Sequence, residues 1–206
     1  MRAAGLGPIF DMVLFDDDVS DSYEGAHGIT RLTNGTFISI DVSARLYDYH
    51  SQICRTSLPA FAERPTSEEG HQSFSLELQR KLKIWKIVFE AQTASLAAMH
   101  ENSTAADVAI AARKVIGNAG HGDAATHRVS HGIGTKAYES PFLHRGNVDV
   151  ILKASMTLVS KPGLYLEGNL AVICGDALLV KAHGEPDVLS EKRAFGPWDP
   201  CRCESI

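Results

Sequence analysis

The stretch Phe37–Thr56, FISIDVSARLYDYHSQICRT, constrains this chain more than any other. β-Branched and aromatic residues cluster over Phe37–Val42, which predicts a strand, and Asn34-Gly35 just ahead is a turn signal leading into it. A tight turn and a second strand follow, with a charged and polar exit through Arg55-Thr56. One carboxylate, Asp41, sits inside the first strand. Alone this is an ordinary β-hairpin. Three later stretches read as built to meet it: HRVSHGIG (His127–Gly134), SKPGLY (Ser160–Tyr165) and ICGDALLV (Ile173–Val180).

Along the chain, the apolar run Ile9–Phe15 predicts a short strand, and Asp16–Asp18 a solvated loop. Pro59 and Pro65 mark a surface connection. From Phe74, Leu78, Leu82, Trp85, Phe89, Leu96 and Met99 recur at helical steps, with Lys81, Lys83 and Lys86 mostly on the other face. Thr104-x-x-Asp107 has the form of a capping box opening a second helix through Ile116, stopped by Gly117 and Gly120. After His121 come short segments punctuated by glycine: Met156–Ser160, Leu164–Leu166, Leu170–Ile173 and Ala177–Val180. Strands, two helices, then strands predict an α+β fold, with helices packed on one face of a largely antiparallel sheet.

A chain of 206 residues is expected to form one domain over residues 1–200, with 201–206 as a tail. The 44% hydrophobic and 22% charged content suits a globular protein, and a net charge of −5 argues against nucleic acid or an anionic membrane as partner. No apolar run is long enough to span a bilayer and no signal peptide is evident, so a cytoplasmic location is expected. Cys54, Cys174, Cys201 and Cys203 have neither disulfide-framework nor zinc spacing and read as reduced thiols.

Taken together, His27-Gly28, IDVSARLYDYHSQICRT, THRVSHGIG, AYESP, LKASMTLVSKPGLYLEG and AVICGDALLV resemble the M24 peptidases, the "pita-bread" fold of prolidase and methionine aminopeptidase. The closing Gly196–Pro200, GPWDP, is similar to the ending of fungal prolidase-like members. The resemblance implies a site where two divalent metals, held by two Asp, one His and two Glu, ready a water for attack on a peptide carbonyl. Carried over residue by residue, the first Asp is Asp41 and the His is His131, both present. The other ligand positions hold Gln52, Lys161 and Gly175. Asp48 and Asp176 are near in sequence, but each is offset from its ligand position, and on a strand a one-residue offset points a side chain to the opposite face unless a bulge intervenes.

The charge balance changes with the ligands. Four carboxylates would be balanced by two divalent ions; here Asp41 and Lys161 sum to zero with no ion. The expectation is geometric: Lys161 Nζ within salt-bridge reach of Asp41, where a cation would sit. The proton-handling histidines implied by the resemblance are His27, kept, and a position now held by Tyr138. Candidate catalytic residues are therefore Lys161, His27, His131, Asp41 and Tyr138, with Gln52, Arg55, His127, Glu139, Cys174 and Gly175 expected to line the pocket. No metal or other cofactor is expected; any ion would be a weakly held divalent one at Asp41 and His131. Without the resemblance, Asp41 would read as a paired structural acid, His131 as a loop histidine and Lys161 as a solvated turn lysine.

The chain begins almost at the strand before His27, so relative to the family it reads as N-terminally shortened by a helical pair. An apolar sheet face is then left bare, and a homodimer is the expected cover. Three functions stay open. The first is a repurposed metal-independent enzyme, of lyase, isomerase or cyclase type, acting on a small molecule, with Lys161 at lowered pKa as base or Schiff-base former. The second is a pseudopeptidase that only binds a small-molecule or peptide-like ligand. The third is a residual Xaa-Pro dipeptidase with rescued ligands.

Overall fold

The structure, a computed structural model, describes residues 1–16, 18, 31–66, 68–124, 128–166, 170–190 and 192–200. Strand β1 (Gly7–Phe15) pairs antiparallel with β2 (Ile38–Leu46), and β2 with β3 (Tyr49–Ser57), making a three-stranded sheet in the order β1-β2-β3. The β2–β3 connection is the two residues Tyr47 and Asp48, at φ 48° and 64°. Positive φ at both is the geometry that matches the twist of a hairpin. The predicted hairpin is present from end to end.

After the short helix α1 (Glu68–Gln72) come α2 (Leu76–Ala97) and α3 (Ala105–Asn118). Ser75 caps α2 by accepting from the Leu78 amide, and Thr104 and Asp107 form the full reciprocal capping box of α3. The remaining strands are β4 (Ser130–Gly132), β5 (Glu139–Leu143), β6 (Thr157–Ser160), β7 (Gly163–Leu166), β8 (Leu170–Ile173), β9 (Asp176–Leu179) and β10 (Asp187–Val188). They form a five-stranded antiparallel sheet, β10-β9-β6-β4-β5, and the β7-β8 pair. A backbone bridge, Cys54 with Gly175, joins the hairpin to the β8–β9 connection, each amide bonding the other's carbonyl.

Both long helices cover one side of these sheets. Trp85, Val88 and Ala91 of α2 and Ala109, Ala112 and Ile116 of α3 share a core with Leu164, Leu170 and Val172. Leu96, Met99 and Val108 share a second with Leu143, Leu158 and Leu178. The Trp85 indole donates 2.7 Å to the Thr56 carbonyl, tying α2 to β3. No helix among the described residues is long and apolar enough to cross a membrane.

Two local expectations are corrected. Lys81 is not on a solvent face of α2: it is buried, with Nζ 2.7 Å from Asp16 and 3.0 Å from the Gly35 carbonyl. Asp16 in turn accepts from the Phe37 amide at 2.9 Å, so it is a clamp on the hairpin's entry and not a solvated loop acid. The three-stranded sheet does carry exposed apolar side chains on one face, with Val13 directly opposite Ile40; Ile9, at the bulge in β1, is exposed as well.

Candidate functional site

The opposite face of that sheet points into a cleft of about 710 Å³. Alternation along the strands decides what reaches it. On β1, Phe10 and Met12 face inward; on β2, Asp41 does, with Met12 and Cys54 as its direct cross-strand neighbours. From the other side, His131 of β4 and Lys161, just past β6, complete a polar end, while Tyr138, Tyr165 and Ile173 supply the walls. A carboxylate, an imidazole and an ammonium from three separate segments meet a mostly apolar wall.

Asp41 is buried and both its oxygens are occupied. Lys161 Nζ lies 2.7 Å from Oδ2, and Gln52 donates 2.8 Å to Oδ1 from the neighbouring strand. Lys161 reaches it over Gly175: a Cβ built at Gly175 would lie 2.8 Å from Lys161 Cγ and 3.1 Å from its Cβ. The stem of the lysine thus occupies the room that a side chain at position 175 would need.

Burial, the largest single influence on Lys161, disfavours its ammonium, but the attraction and hydrogen bond of Asp41 outweigh this and raise its pKa above the ordinary value. This corrects the expected lowered-pKa lysine: Lys161 is a protonated donor at neutral pH, not a free amine poised as base or Schiff-base former. His131 moves the other way. Burial, helped by the positive charges of Lys161 and Arg128, lowers its pKa and keeps the ring neutral. Its Nδ1 donates to the Gly132 carbonyl at 2.9 Å, which fixes the tautomer and leaves a lone pair on Nε2. That buried Nε2 has no hydrogen-bond partner among the described residues. The Tyr138 ring lies against it, centroids 4.4 Å apart, and Phe10 stacks beyond at 6.5 Å. Burial pushes the Tyr138 hydroxyl above its ordinary pKa, so it too is a donor.

The structure therefore brings Asp41, His131, Lys161 and Tyr138 together, with Gln52 holding Asp41 from below and Gly175 under the lysine stem. His27 and His127 lie outside the described residues. None of the five described residues expected to line the pocket does: Gln52 and Gly175 only back Asp41 and Lys161, and Arg55, Cys174 and Glu139 lie elsewhere. Arg55 turns away to Asp176 at 2.6 Å and to the carbonyls of Gly175, Cys54 and Pro200, where it braces the bridge. Cys174 is buried on the helix side, its thiol pushed up to about 12 by burial. Glu139 lies against Gly134 and not on the cleft wall. Phe10, Met12 and Tyr165 were not anticipated as wall residues; the alternation of Phe10 and Met12 within Ile9–Phe15 is the signal that places them on one face.

The offset acids do not enter the cleft. Asp176 is fully buried against Arg55, Gln92 and Ser190, and Asp48 is at the exposed hairpin turn, 3.7 Å from Arg45. No group of three His, Cys, Asp or Glu side chains that could hold a metal ion occurs among the described residues. With Asp41 saturated and an ammonium at hydrogen-bond distance from it, the donors present do not fit a dinuclear metal centre; a divalent ion would enter against like charge.

Comparison with known proteins agrees with this architecture. The chain is 31% identical to an uncharacterized peptidase of Schizosaccharomyces pombe over 92% of its own length and 39% of that protein's. It is 25% identical to the Xaa-Pro dipeptidase of Pyrococcus furiosus, over 90% of this chain and 49% of the other. The solved prolidase of Pyrococcus furiosus superposes with a TM-score of 0.73 at 25% identity, covering 90% of this chain and 50% of that one. A dipeptidase of Pyrococcus horikoshii OT3 gives 0.75 at 29%, covering 90% and 47%. The chain thus spans about half the length, or less, of the relatives it matches. Residues 15–182 match the sequence profile of metallopeptidase family M24, and the chain, α+β with the pita-bread fold, belongs to that family.

Proposed function

We propose that this M24 chain works its cleft without a metal, as an enzyme of the lyase, isomerase or cyclase type on a small molecule. The observation that carries this reading is the 2.7 Å pair of Lys161 with Asp41, because it puts a fixed positive charge where the family's chemistry calls for a cation. Neutral His131 supplies the base: its Nε2 lone pair, once Tyr138 swings aside, accepts a proton from the substrate. The Lys161 ammonium and the Tyr138 hydroxyl are donors to the oxygen on which charge develops as that proton leaves. The aromatic and apolar wall of Phe10, Met12, Tyr165 and Ile173 suits a substrate with an apolar body and one carbonyl-bearing end.

The test is proton abstraction read directly. Chelator-treated protein is incubated in D₂O with a panel of small carbonyl compounds and Xaa-Pro dipeptides, and deuterium uptake next to the carbonyl is followed by mass spectrometry. Uptake that disappears in both His131→Gln and Lys161→Met is the expected result. Hydrolysis that appears only on adding manganese refutes the proposal and restores the metallopeptidase. Binding of panel members with no exchange and no product favours the second reading, a pseudopeptidase. That reading draws on one observation, the closure of His131 Nε2 beneath the Tyr138 ring.

A further inference from the structure

We propose a second ligand site, for a flat aromatic carboxylate, in the groove between the N-terminal half of α2 and residues 195–198. The groove measures about 680 Å³ and shares no lining residue with the cleft. That volume falls in the range of small-molecule pockets, roughly 300–1,000 Å³.

Its surface is aromatic in a particular way. Trp85 forms a buried floor, with Phe89 stacked on it at 5.3 Å. Trp198 stacks on Phe74 at 6.3 Å and takes the edge of His71 at 5.9 Å. Phe195 stands at the rim, 69% exposed. Both indole N–H groups are spent on the protein's own backbone, Trp85 on Thr56 at 2.7 Å and Trp198 on Glu63 at 3.1 Å. The indoles are therefore fixed, and their N–H donors are not available to a ligand. Such a surface reads the faces of a flat ring and not the amides of a peptide.

The rim carries the charge. Arg64, Lys83 and Lys86 line the groove, and among the described residues no carboxylate does. Arg64 is paired with Asp199 at 2.8 Å and Lys86 with Glu90 at 3.8 Å, while exposed Lys83 has no ion-pair partner among the described residues. On a chain of net charge −5, a cationic rim over an aromatic floor selects an anion by position. A ring on the floor puts a short carboxylate arm within reach of Lys83 and Lys86.

The molecule contains its own reporter, since its only two tryptophans, Trp85 and Trp198, both line this groove. The full chain is titrated with 4-phenylbutyrate and, as a charge control, with 4-phenylbutanol, while tryptophan emission is read. The expected result is a saturable change with a dissociation constant below about 1 mM for the carboxylate and about tenfold weaker binding of the alcohol. Lys83→Glu with Lys86→Glu lowers carboxylate affinity by at least about tenfold, while Lys83→Arg with Lys86→Arg retains it, which separates lost charge from lost fold. Equal binding of alcohol and acid, indifference to the Glu variant, or no saturable change overturns the proposal. Tighter binding of the acetylated peptide amide Glu-Phe-Glu than of 4-phenylbutyrate also overturns it, in favour of a peptide site.

Discussion

The stem of Lys161 lies in the space that a side chain at Gly175 would fill, with only 2.8 Å between Lys161 Cγ and a Cβ built on the glycine. The two positions are thus sterically linked: with a side chain at 175, the lysine cannot reach Asp41 by this path. Cys54 Cβ closes the other side at 3.1 Å, so an added methyl cannot escape sideways. Gly175→Ala should therefore cost about 1–3 kcal/mol by overpacking and loosen the ion pair. Combined with Lys161→Ala, it should cost clearly less than the two singles summed. A double-mutant cycle by urea unfolding measures this, and strict additivity would show the positions to be independent.

Asp41 is the member of the pair that cannot tolerate being left alone. Its side chain is 5% exposed, and Gln52 would be its one remaining named partner. Lys161→Met, which keeps the stem and removes the charge, should destabilise by about 3 kcal/mol, the cost of stranding a buried charge. For a chain of this size that lowers the melting temperature by roughly 6–12 °C. Adding Asp41→Asn should recover part of the loss. The pH dependence has a definite sign. With its folded pKa raised above the ordinary 10.5, Lys161 contributes stability fully below that pH and loses it as pH rises through the folded value. The wild-type protein should therefore soften in strong alkali more than Lys161→Met does.

Much of this was legible in the chain. The hairpin declared itself through its β-branched run and the Asn34-Gly35 turn, the first long helix through its apolar stripe from Phe74, and the second through the Thr104–Asp107 box. The Lys161–Asp41 pair followed from placing the family's ligand positions on these residues and summing charge. What escaped were facts of three-dimensional proximity. Helical spacing put Lys81 on a solvent face, and nothing local to α2 announces that Asp16, 65 residues earlier, draws it inward. Arg55 follows the polar pattern of a pocket residue, yet a buried carboxylate at Asp176, 121 positions on, turns it away. Lys161 was expected to be a free amine of lowered pKa because burial alone lowers a lysine; the sign was decided by how close Asp41 came.

Metal content separates this chain's site from a metallopeptidase's. Protein purified without chelator should carry well under one equivalent of manganese, zinc or cobalt by elemental analysis, and its melting temperature should not change with a chelator. Gln52→Asp, Lys161→Glu and Gly175→Glu together replace the ammonium and its stem with acids around Asp41 and His131. That triple variant should gain metal-dependent stabilisation, about 2.7 kcal/mol at an ion concentration 100 times the dissociation constant. One or two equivalents of metal in the wild-type protein would mean that donors beyond the described residues complete a site.

His131 gives the cleft its acid limb. Its ordinary pKa of 6.5 is lowered in the fold, first by burial and then by the facing charges of Lys161 and Arg128, against the opposing pull of the Gly132 carbonyl and Asp41. A base with a depressed folded pKa binds fewer protons folded than unfolded just below its ordinary value. Stability is then fully present above pH 6.5 and is lost as pH falls through the window below it. Urea midpoints measured on either side of pH 6.5 should fall on the acid side for wild type, and the fall should be smaller in His131→Gln. The difference between the two proteins isolates this ring from the chain's eight other histidines, since the total is nine. The same shift bears on the proposed base: deuterium exchange should persist to a lower pH than an ordinary histidine would allow, because the Nε2 lone pair stays unprotonated. An exchange rate that halves at or above pH 6.5 would assign the base to some other group.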